Sequence, residues 1–384
     1  MTQYTLSIVI ELLRTTSDFY TLICRKDEIP RQYSSRLNSF LDRLAAEFVA
    51  ISPIGLKRDW QFLRWYRKNK HRFDLFYEPS AQYPAGIKGG VYTVHDILYE
   101  EFPEKLGRFS FIKRLYLHHV VKRGIKKSDI VVAVSQFTKD EICKYHKIAD
   151  EKKIRVVYEG YEHLKSVQLD EANVAVQNIT RNCVPYFVYI GSSRGHKNLH
   201  NLFLAYMKAN VSWKLVVIGR MDRLEKRDML LVEAINKDST RVVFTGWIDD
   251  SQMYAILSKA GAFVFPSKSE GFGIPILESW YFEVPLLCAD IPVFNEVAGD
   301  ACIKFDPFDT GEMASVLKSF SCQQKQEHMA LLQRERSRLE IFSWKKTALE
   351  IHKLIMLTDT QLGVQRYSVI ASFSCAAAYC EAAA

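Results

Sequence analysis

The sequence predicts an α/β protein made of two doubly wound domains. Three observations support this prediction: a length of 384 residues, a composition with 48% hydrophobic and 25% charged residues, and short apolar runs that alternate with helical patterns. Strands and helices that alternate at this interval are typical of parallel sheets covered on both faces. The crossovers between such strands are right-handed, which limits the possible topologies.

The second half of the chain carries the clearest alternation. Amphipathic helices are predicted at Leu199–Lys208 and Ser251–Lys259, between short apolar strands. The predicted strands are Tyr186–Ile190, Lys214–Ile218, Arg241–Phe244, Ala262–Phe265 and Pro285–Cys288.

The first half follows the same pattern less regularly. It opens in a helix, Thr5–Leu13, whereas a doubly wound domain normally opens with a strand and a glycine-rich turn. We therefore expect the first strand to be missing and the N-terminus to be truncated. Thr138 to Glu141 resembles a capping box that opens a helix. The predicted strands are Phe19–Cys24, Phe48–Ile51, Leu75–Tyr77, Val91–Val94, Ile130–Val134 and Ile154–Val157.

Composition shifts divide the chain into five segments. The segment that follows the first domain is polar and aperiodic, as is typical of a linker. The predicted segments are a first domain at 1–165, a linker at 166–183, a second domain at 184–340, a C-terminal helix at 341–358 that can return to the first domain, and a tail at 359–384. The alanine-rich end of this tail, Phe373–Ala384, is interpreted as having no role.

Charge and cysteine usage exclude several classes of protein. Residues 1–160 carry 28 Lys and Arg against 19 Asp and Glu, whereas the remainder carries 24 against 25. No apolar run is long enough for a membrane span, and the start does not resemble a signal peptide. The eight cysteines lack metal-binding spacing, so no metal site is predicted, and no nucleic-acid-binding motif accompanies the basic charge. We expect a cytoplasmic protein.

Two basic segments in the first half, 57–72 and 105–127, interleave Lys and Arg with aromatic and aliphatic residues. Such a face suits an anionic membrane surface. A solvated basic helix that packs through its apolar side fits the pattern equally well. A peripheral contact with the inner face of a membrane is therefore an open expectation.

The motif with the strongest chemical content runs from Ser267 to Glu278 and joins a predicted strand to a predicted helix. Gly271 and Gly273 allow the backbone to approach a ligand closely. The helix start suits a phosphate or a diphosphate, with Glu270 at the mouth and Glu278 about two turns inside. An ordinary glycine turn with solvated glutamates remains the plainer interpretation of this stretch alone.

Two further strand ends have similar features. Gly191 is followed by Arg194, His196 and Lys197, which could neutralise a phosphate. Trp247 and Ile248 follow another strand, and such a turn could flank a nucleobase. Each of these motifs is equally compatible with a structural role.

Together, these motifs resemble family 4 retaining glycosyltransferases, which have the GT-B fold of two Rossmann-like domains that face across a cleft. The E-x7-E element of the family matches Glu270 and Glu278, and its basic strand-end motif matches His196-Lys197-Asn198. Its later motif matches Glu296 to Ala301, and its first-half patterns match Thr93 to Asp96 and Val134 to Lys139. The resemblance covers roughly residues 3–355. Within the family, the chain resembles the bacterial O-antigen mannosyltransferases.

The resemblance implies roles for the second domain as the nucleotide-sugar-binding half. Glu270 would contact the donor sugar and stabilise positive charge at the anomeric carbon, and Glu278 would bind the ribose. Lys197, with Arg194 or His196, would stabilise the departing diphosphate. The sugar hydroxyls and phosphate would be held by backbone N–H groups at Gly271, Phe272, Gly273 and Ile274.

The first domain would be the acceptor side, and its His95 would touch the donor sugar across the cleft. The acceptor would be a glycan or a lipid-linked saccharide. GDP-mannose is the first expectation for the donor, and UDP-hexoses remain open. No cofactor or metal ion is expected.

Two departures keep other functions open. Ser192 stands where many members of the family have Arg, and the expected first strand is missing. A sugar-nucleotide epimerase of the same architecture is one alternative, and conversion of a donor without acceptor would distinguish it. An inactive remnant that binds nucleotide without turnover is another.

Overall fold

A computed structural model describes most of the chain. The described residues are 2–24, 29, 31–48, 56–80, 82–103, 110–148, 150–181, 184–221, 224–323, 325–358 and 368–372. They form two units, Met1–Gly160 with Ser343–Ala384, and Tyr161–Phe342. The chain thus passes into the second unit after Gly160, so the segment predicted as a linker belongs to unit 2 and contains a helix, Val174–Thr180.

Unit 1 contains a parallel sheet with helices between its strands. Its helices are α1 (Thr2–Thr15), α2 (Arg31–Asn38), α3 (Leu56–Asn69), α4 (Leu98–Glu101), α5 (Ser110–Lys127), α6 (Gln136–His146) and α15 (Trp344–Leu357). Its strands are β1 (Phe19–Cys24), β2 (Leu44–Phe48), β3 (Leu75–Glu78), β4 (Val91–Val94), β5 (Ile130–Ala133), β6 (Ile154–Val156) and β13 (Ser368–Ser372).

An interior position of the unit 1 sheet is occupied by a strand from the far end of the chain. The order is β2-β1-β13-β3-β4-β5-β6, and β13 pairs in parallel with both β1 and β3. In a doubly wound sheet this is the position of the first strand, which the sequence was expected to lack. The segment interpreted as a tail, 359–384, therefore contains a strand at 368–372, while residues 373–384 lie outside the described part. The Ser-Val-Ile-Ala-Ser run is too short for periodicity to reveal its partner.

The opening helix of unit 1 is confirmed. The apolar residues of α1 are buried on all sides, from Tyr4 to Leu13, and the helix packs against α15. Its polar residues Gln3, Ser7, Glu11 and Arg14 recur every three or four positions and form a stripe along the helix, of which Ser7 and Glu11 are also buried. The C-terminal helix α15 therefore lies in unit 1.

Two local predictions for unit 1 differ from the structure. The second strand, Leu44–Phe48, begins four residues before the predicted Phe48–Ile51, whose residues 49–51 lie outside the described part. Leu, Ala and Glu favour helix, and pairing with β1 overrides that preference. Helix α6 begins just after Val134, but its cap is Ser135 and not the predicted box at Thr138, because the Ser135 side chain accepts the Thr138 N–H at 3.0 Å.

Unit 2 contains a parallel sheet whose five predicted strands are all present. Its strands are β7 (Tyr186–Ile190), β8 (Lys214–Ile218), β9 (Val242–Gly246), β10 (Ala262–Phe265), β11 (Leu286–Ala289) and β12 (Ile303–Phe305). Its helices are α7 (Val174–Thr180), α8 (Leu199–Ala209), α9 (Lys226–Ile235), α10 (Asp250–Leu257), α11 (Ile274–Tyr281), α12 (Pro292–Ala298), α13 (Thr310–Cys322) and α14 (Lys325–Leu339).

The strand order in unit 2 is β12-β11-β10-β7-β8-β9. Numbered from β7, this is the 3-2-1-4-5-6 order of doubly wound nucleotide-binding sheets. The order reverses between β7 and β10, which pair directly through Phe187 and Ala262. Ligands of such sheets bind at the carboxyl ends of the strands beside this reversal, so the topology points to the loops after β7 and β10.

Candidate functional site

The loop after β7 is shaped by a close approach between two backbones. The Gly191 N–H donates to the Ile218 carbonyl at 3.0 Å. Gly219 has a φ of 133°, and a Cβ there would lie 1.9 Å from the Gly191 oxygen. Only glycine fits at position 219, because both the backbone conformation and the contact exclude a side chain.

Lys197 lies at the end of a short 3-10 turn, Gly195–Lys197, in the same loop. The next residue, Asn198, has a φ of 59°, and its side-chain amide donates to the Pro307 carbonyl at 2.6 Å. Asparagine tolerates this left-handed conformation better than most residues. The turn and this hydrogen bond fix the backbone that carries Lys197.

The loop after β10 is tied to the loop after β7. The Lys268 backbone N–H donates to the His196 carbonyl at 2.7 Å. Gly273 begins α11 with a φ of 101°, and a Cβ there would lie 3.0 Å from the Phe294 ring. The sequence motifs around Lys197 and Glu270 thus meet at the topological reversal of the sheet.

A short ion pair joins the two loops. The Lys197 Nζ lies 2.6 Å from the Glu270 Oε1, and the two side chains are 22% and 13% exposed. The ammonium also lies 5.6 Å from the centre of the Phe265 ring. An ammonium has three donors, so Lys197 can hold Glu270 and still donate to a phosphate oxygen.

Glu278 lies on α11 and is buried. Its Oε1 accepts the Tyr254 hydroxyl at 2.8 Å and lies 3.8 Å from the His163 Nε2. Sequence analysis missed Tyr254 and His163, since one lies on an ordinary amphipathic helix and the other in the predicted first domain. A buried carboxylate with a hydroxyl donor is well placed to accept hydrogen bonds from a polar ligand.

The other predicted phosphate ligands differ in exposure. His196 is buried, whereas Arg194 is half-buried, and the Arg194 guanidinium makes no hydrogen bond or ion pair with the residues that the structure describes. Arg194 is therefore a cation available to an anion. Gly191 lies at the base of the same loop.

The start of α11 offers fewer free backbone donors than the sequence suggested. Phe272 is buried, and its ring packs edge-on against Phe342 at 5.7 Å, so any ligand contact must use its backbone. Pro275 lacks an N–H, and the Ile276 N–H donates to the Gly273 carbonyl at 2.9 Å. The Ile274 N–H and the preceding glycine loop remain as the candidate anion contacts.

The turn after β9 presents an exposed aromatic ring. Trp247 is 70% exposed, and Ile248 is half-buried beside it. Gly246 precedes them with a φ of 68°. An exposed indole can stack on a planar ring, so a role for these residues at a nucleobase stays a prediction.

His95 follows β4 in unit 1, and its ring is held from several directions. Its Nε2 lies 2.8 Å from the Pro79 carbonyl oxygen, and its Nδ1 lies 3.5 Å from the Glu159 Oε1. Tyr4 packs edge-on against the ring at 4.5 Å between centroids. Both ring nitrogens thus face oxygen atoms of unit 1, and these contacts fix the orientation of the ring.

The two basic segments are only partly on the surface. In the first, Arg58 is buried, donates to the Gln82 carbonyl at 2.7 Å and lies 3.6 Å from Glu78, which corrects its assignment to an exposed basic face. In the second, α5 begins with exposed Phe111, Ile112 and Leu115. None of the helices in the described residues is long and apolar enough to cross a bilayer.

Family comparisons agree with the geometry of both units. The sequence model described as "Glycosyltransferase Family 4" matches residues 9–163, and that described as "Glycosyl transferases group 1" matches residues 177–331. The chain belongs to glycosyltransferase family 4. The first match begins in unit 1 and ends just inside unit 2, and the second lies entirely within unit 2.

Two curated members of this family illustrate the similarity. The chain is 30% identical to O-antigen chain mannosyltransferase RfbU of Salmonella typhimurium over 234 residues, and this aligned region covers 61% of each protein. It is 25% identical to O-antigen chain mannosyltransferase B of Escherichia coli over 300 residues, and this aligned region covers 74% of each protein. The chain thus matches less than two thirds of the first relative's length.

Solved structures of glycosyltransferases share the fold. WaaG, a glycosyltransferase involved in lipopolysaccharide biosynthesis, superposes with a TM-score of 0.63 at 16% identity, over 88% of this chain and 99% of WaaG. The structure of Anabaena Alr3699/HepE in complex with UDP and glucose superposes with a TM-score of 0.66 at 14% identity, over 88% of this chain and 100% of HepE. The predicted fold class, GT-B, is confirmed.

Proposed function

We propose that this family 4 glycosyltransferase moves a hexose from a nucleotide-sugar to a glycan or lipid-linked acceptor in O-antigen or related surface polysaccharide synthesis, with retention at the anomeric centre. The observation that carries the proposal is the Lys197–Glu270 pair at the topological reversal of the unit 2 sheet. The names of the two curated relatives favour mannose as the sugar and GDP-mannose as the donor.

The charges of the site suit departure of a nucleoside diphosphate. Lys197 and the unpaired Arg194 supply positive charge where the leaving group would gain negative charge. Glu270 supplies negative charge beside a carbon that becomes positive in the transition state. Catalysis of this kind depends on fixed charges and positioning, so these residues require no metal ion or cofactor.

Nucleotide binding tests the donor half directly. A nucleotide at ~100 times its dissociation constant stabilises a cooperatively unfolding unit by about 2.7 kcal/mol. We expect GDP to raise the thermal midpoint of the chain more than UDP or ADP does. The buried Glu278 should contribute to this shift, so Glu278→Gln should reduce it.

Glu283→Gln is the matched control, because Glu283 follows the same helix but is exposed and pairs with Arg336 at 2.6 Å. This variant should keep the full shift. If none of the three nucleotides shifts the midpoint, the donor site is misassigned. If UDP gives the larger shift, GDP-mannose is not the donor, but the proposal that the chain is a glycosyltransferase still stands.

The exposed start of α5 supports a peripheral membrane contact that would place the enzyme near a lipid-linked acceptor at the cytoplasmic face. Phe111, Ile112 and Leu115 are 74%, 64% and 60% exposed. Basic residues follow on the same helix, which ends with Lys126 and Lys127. An apolar patch beside positive charge is attracted to anionic bilayers.

Sedimentation with phosphatidylglycerol vesicles tests this contact. The chain should co-sediment at low salt and less at high salt, since screening weakens the charge contribution. Replacing Phe111, Ile112 and Leu115 together with Ser should abolish co-sedimentation. The exposed apolar pair Met229 and Leu230 in unit 2, changed to Ser, is the control. Equal binding by both variants would refute the assignment to α5.

A further inference from the structure

Unit 1 contains a cluster of metal-ligating side chains on three helices. Glu100 lies on α4, His118 on α5, and His146 is the last residue of α6. Each offers one ligand atom, and these atoms lie within 4.8 Å of one another. Glu100 and His146 are buried, and the His118 side chain is 29% exposed. None of the three belongs to the candidate donor site.

The polar contacts of the cluster leave one buried nitrogen unsatisfied. The His118 Nδ1 lies 2.6 Å from the Glu100 Oε1, and the Arg114 Nε donates to the Glu100 Oε2 at 2.9 Å. The His146 Nε2 lies 3.4 Å from the Tyr99 hydroxyl, while its Nδ1 is buried and has no hydrogen-bond partner in the described residues. A buried polar atom without a partner is costly, which calls for an explanation.

The two imidazole rings lie against each other with their planes nearly parallel. Their centroids are 4.6 Å apart, and the planes differ by 28°. An imidazole binds a metal ion in the plane of its own ring, so one of the two rings must turn for both to bind the same ion.

We propose that Glu100, His118 and His146 bind one Zn²⁺-class divalent transition-metal ion that joins α4, α5 and α6. Two histidines and a carboxylate form a common zinc-binding set, with a fourth position left for water. Metal–ligand distances of ~2.0–2.2 Å place tetrahedral ligands about 3.3–3.6 Å apart. The cluster reaches this arrangement when the Glu100–His118 contact opens and one imidazole turns out of its stacked position.

The surroundings supply the outer contacts that such a site needs. Arg114 holds the second oxygen of Glu100 and thereby orients the carboxylate. Outer partners of this kind fix the ligands and tune metal affinity. Because α4 begins three residues after His95, an ion on Glu100 would also restrain the segment that follows β4.

Metal titration of the full chain tests the site. After treatment with a chelator, calorimetric titration with ZnCl₂ should show one equivalent bound per chain and an upward shift of the thermal midpoint. His118→Gln should weaken binding by more than ~100-fold, the upper end of the loss for an outer partner alone. His119→Gln is the control, because His119 is the exposed neighbour on α5 and should leave binding unchanged.

Spectroscopy separates this site from the cysteines of the chain. Co²⁺ bound to the cluster should give visible bands without a thiolate charge-transfer band, since its ligands are nitrogen and oxygen. A thiolate band would assign the ion elsewhere and overturn the proposal. So would the absence of binding, or full binding by His118→Gln. If His146→Gln fails to fold, the partly exposed His118 still decides the result, with circular dichroism as the folding check.

Discussion

Replacing Lys197 with Met is expected to lower kcat by about 10²–10³-fold, with smaller effects on nucleotide affinity. The substitution removes the charge that would stabilise the leaving diphosphate, and loss of one such fixed donor raises a barrier by about 2.7–4 kcal/mol. Glu270→Gln should lower kcat to a similar extent, because it removes the opposite charge of the same pair. Sugar transfer from GDP-mannose to a purified acceptor is the measurement.

Lys268→Met is the matched control for this result. Lys268 lies two residues before Glu270, and its ammonium lies 5.4 Å from the centre of the Phe308 ring. Loss of the Lys268 ammonium should leave kcat within a few-fold of the wild-type value. If Lys197→Met retains full turnover, or if it loses only thermal stability, then the Lys197–Glu270 pair is structural and the catalytic assignment is wrong.

A pH-dependent loss of stability is expected from Glu335, which is buried on α14. Its Oε1 accepts the Leu286 N–H at 2.9 Å at the start of β11. Burial raises the pKa of Glu335 to about 8, and the Leu286 N–H opposes this rise. The folded unit therefore keeps the proton at a pH where the unfolded chain has lost it.

The sign follows from the proton balance. The unfolded state binds fewer protons between the ordinary carboxyl pKa and the raised value, so the free energy of unfolding falls as pH rises through this window. The slope is at most about 1.4 kcal/mol per pH unit. The free energy of unfolding therefore falls by about 3 kcal/mol between pH 5.5 and 8. Below this window the stability contribution of Glu335 is fully present.

Urea denaturation of the wild type and Glu335→Gln at several pH values measures this contribution. Glutamine keeps an oxygen for the Leu286 N–H but cannot ionise. The variant should gain stability relative to the wild type as pH rises from 5.5 to 8. A constant difference across this range would show that Glu335 ionises equally in the folded and unfolded states.

Much of the candidate site could be predicted from local sequence. Short-range features of the backbone indicated the site. These features are the glycines after β7 and β10, the helix that begins with Ile274-Pro275, and the basic and acidic residues at strand ends. The five unit 2 strands follow from apolar runs bounded by turns. In contrast, no local signal indicated that Tyr254 donates to Glu278 or that Arg58 is buried, since both depend on residues more than twenty positions away.

Sequence alone determined the two-domain α/β class, the strands of unit 2 and the residues of the family motifs. Only the tertiary structure decided which strand lies between β1 and β3 in the unit 1 sheet, a position taken by β13 from residues 368–372. It also brought Glu100, His118 and His146 together. The physical reason is the same in both cases: hydrophobic periodicity specifies which face of an element is buried, whereas the partner across that face is set by packing between distant segments.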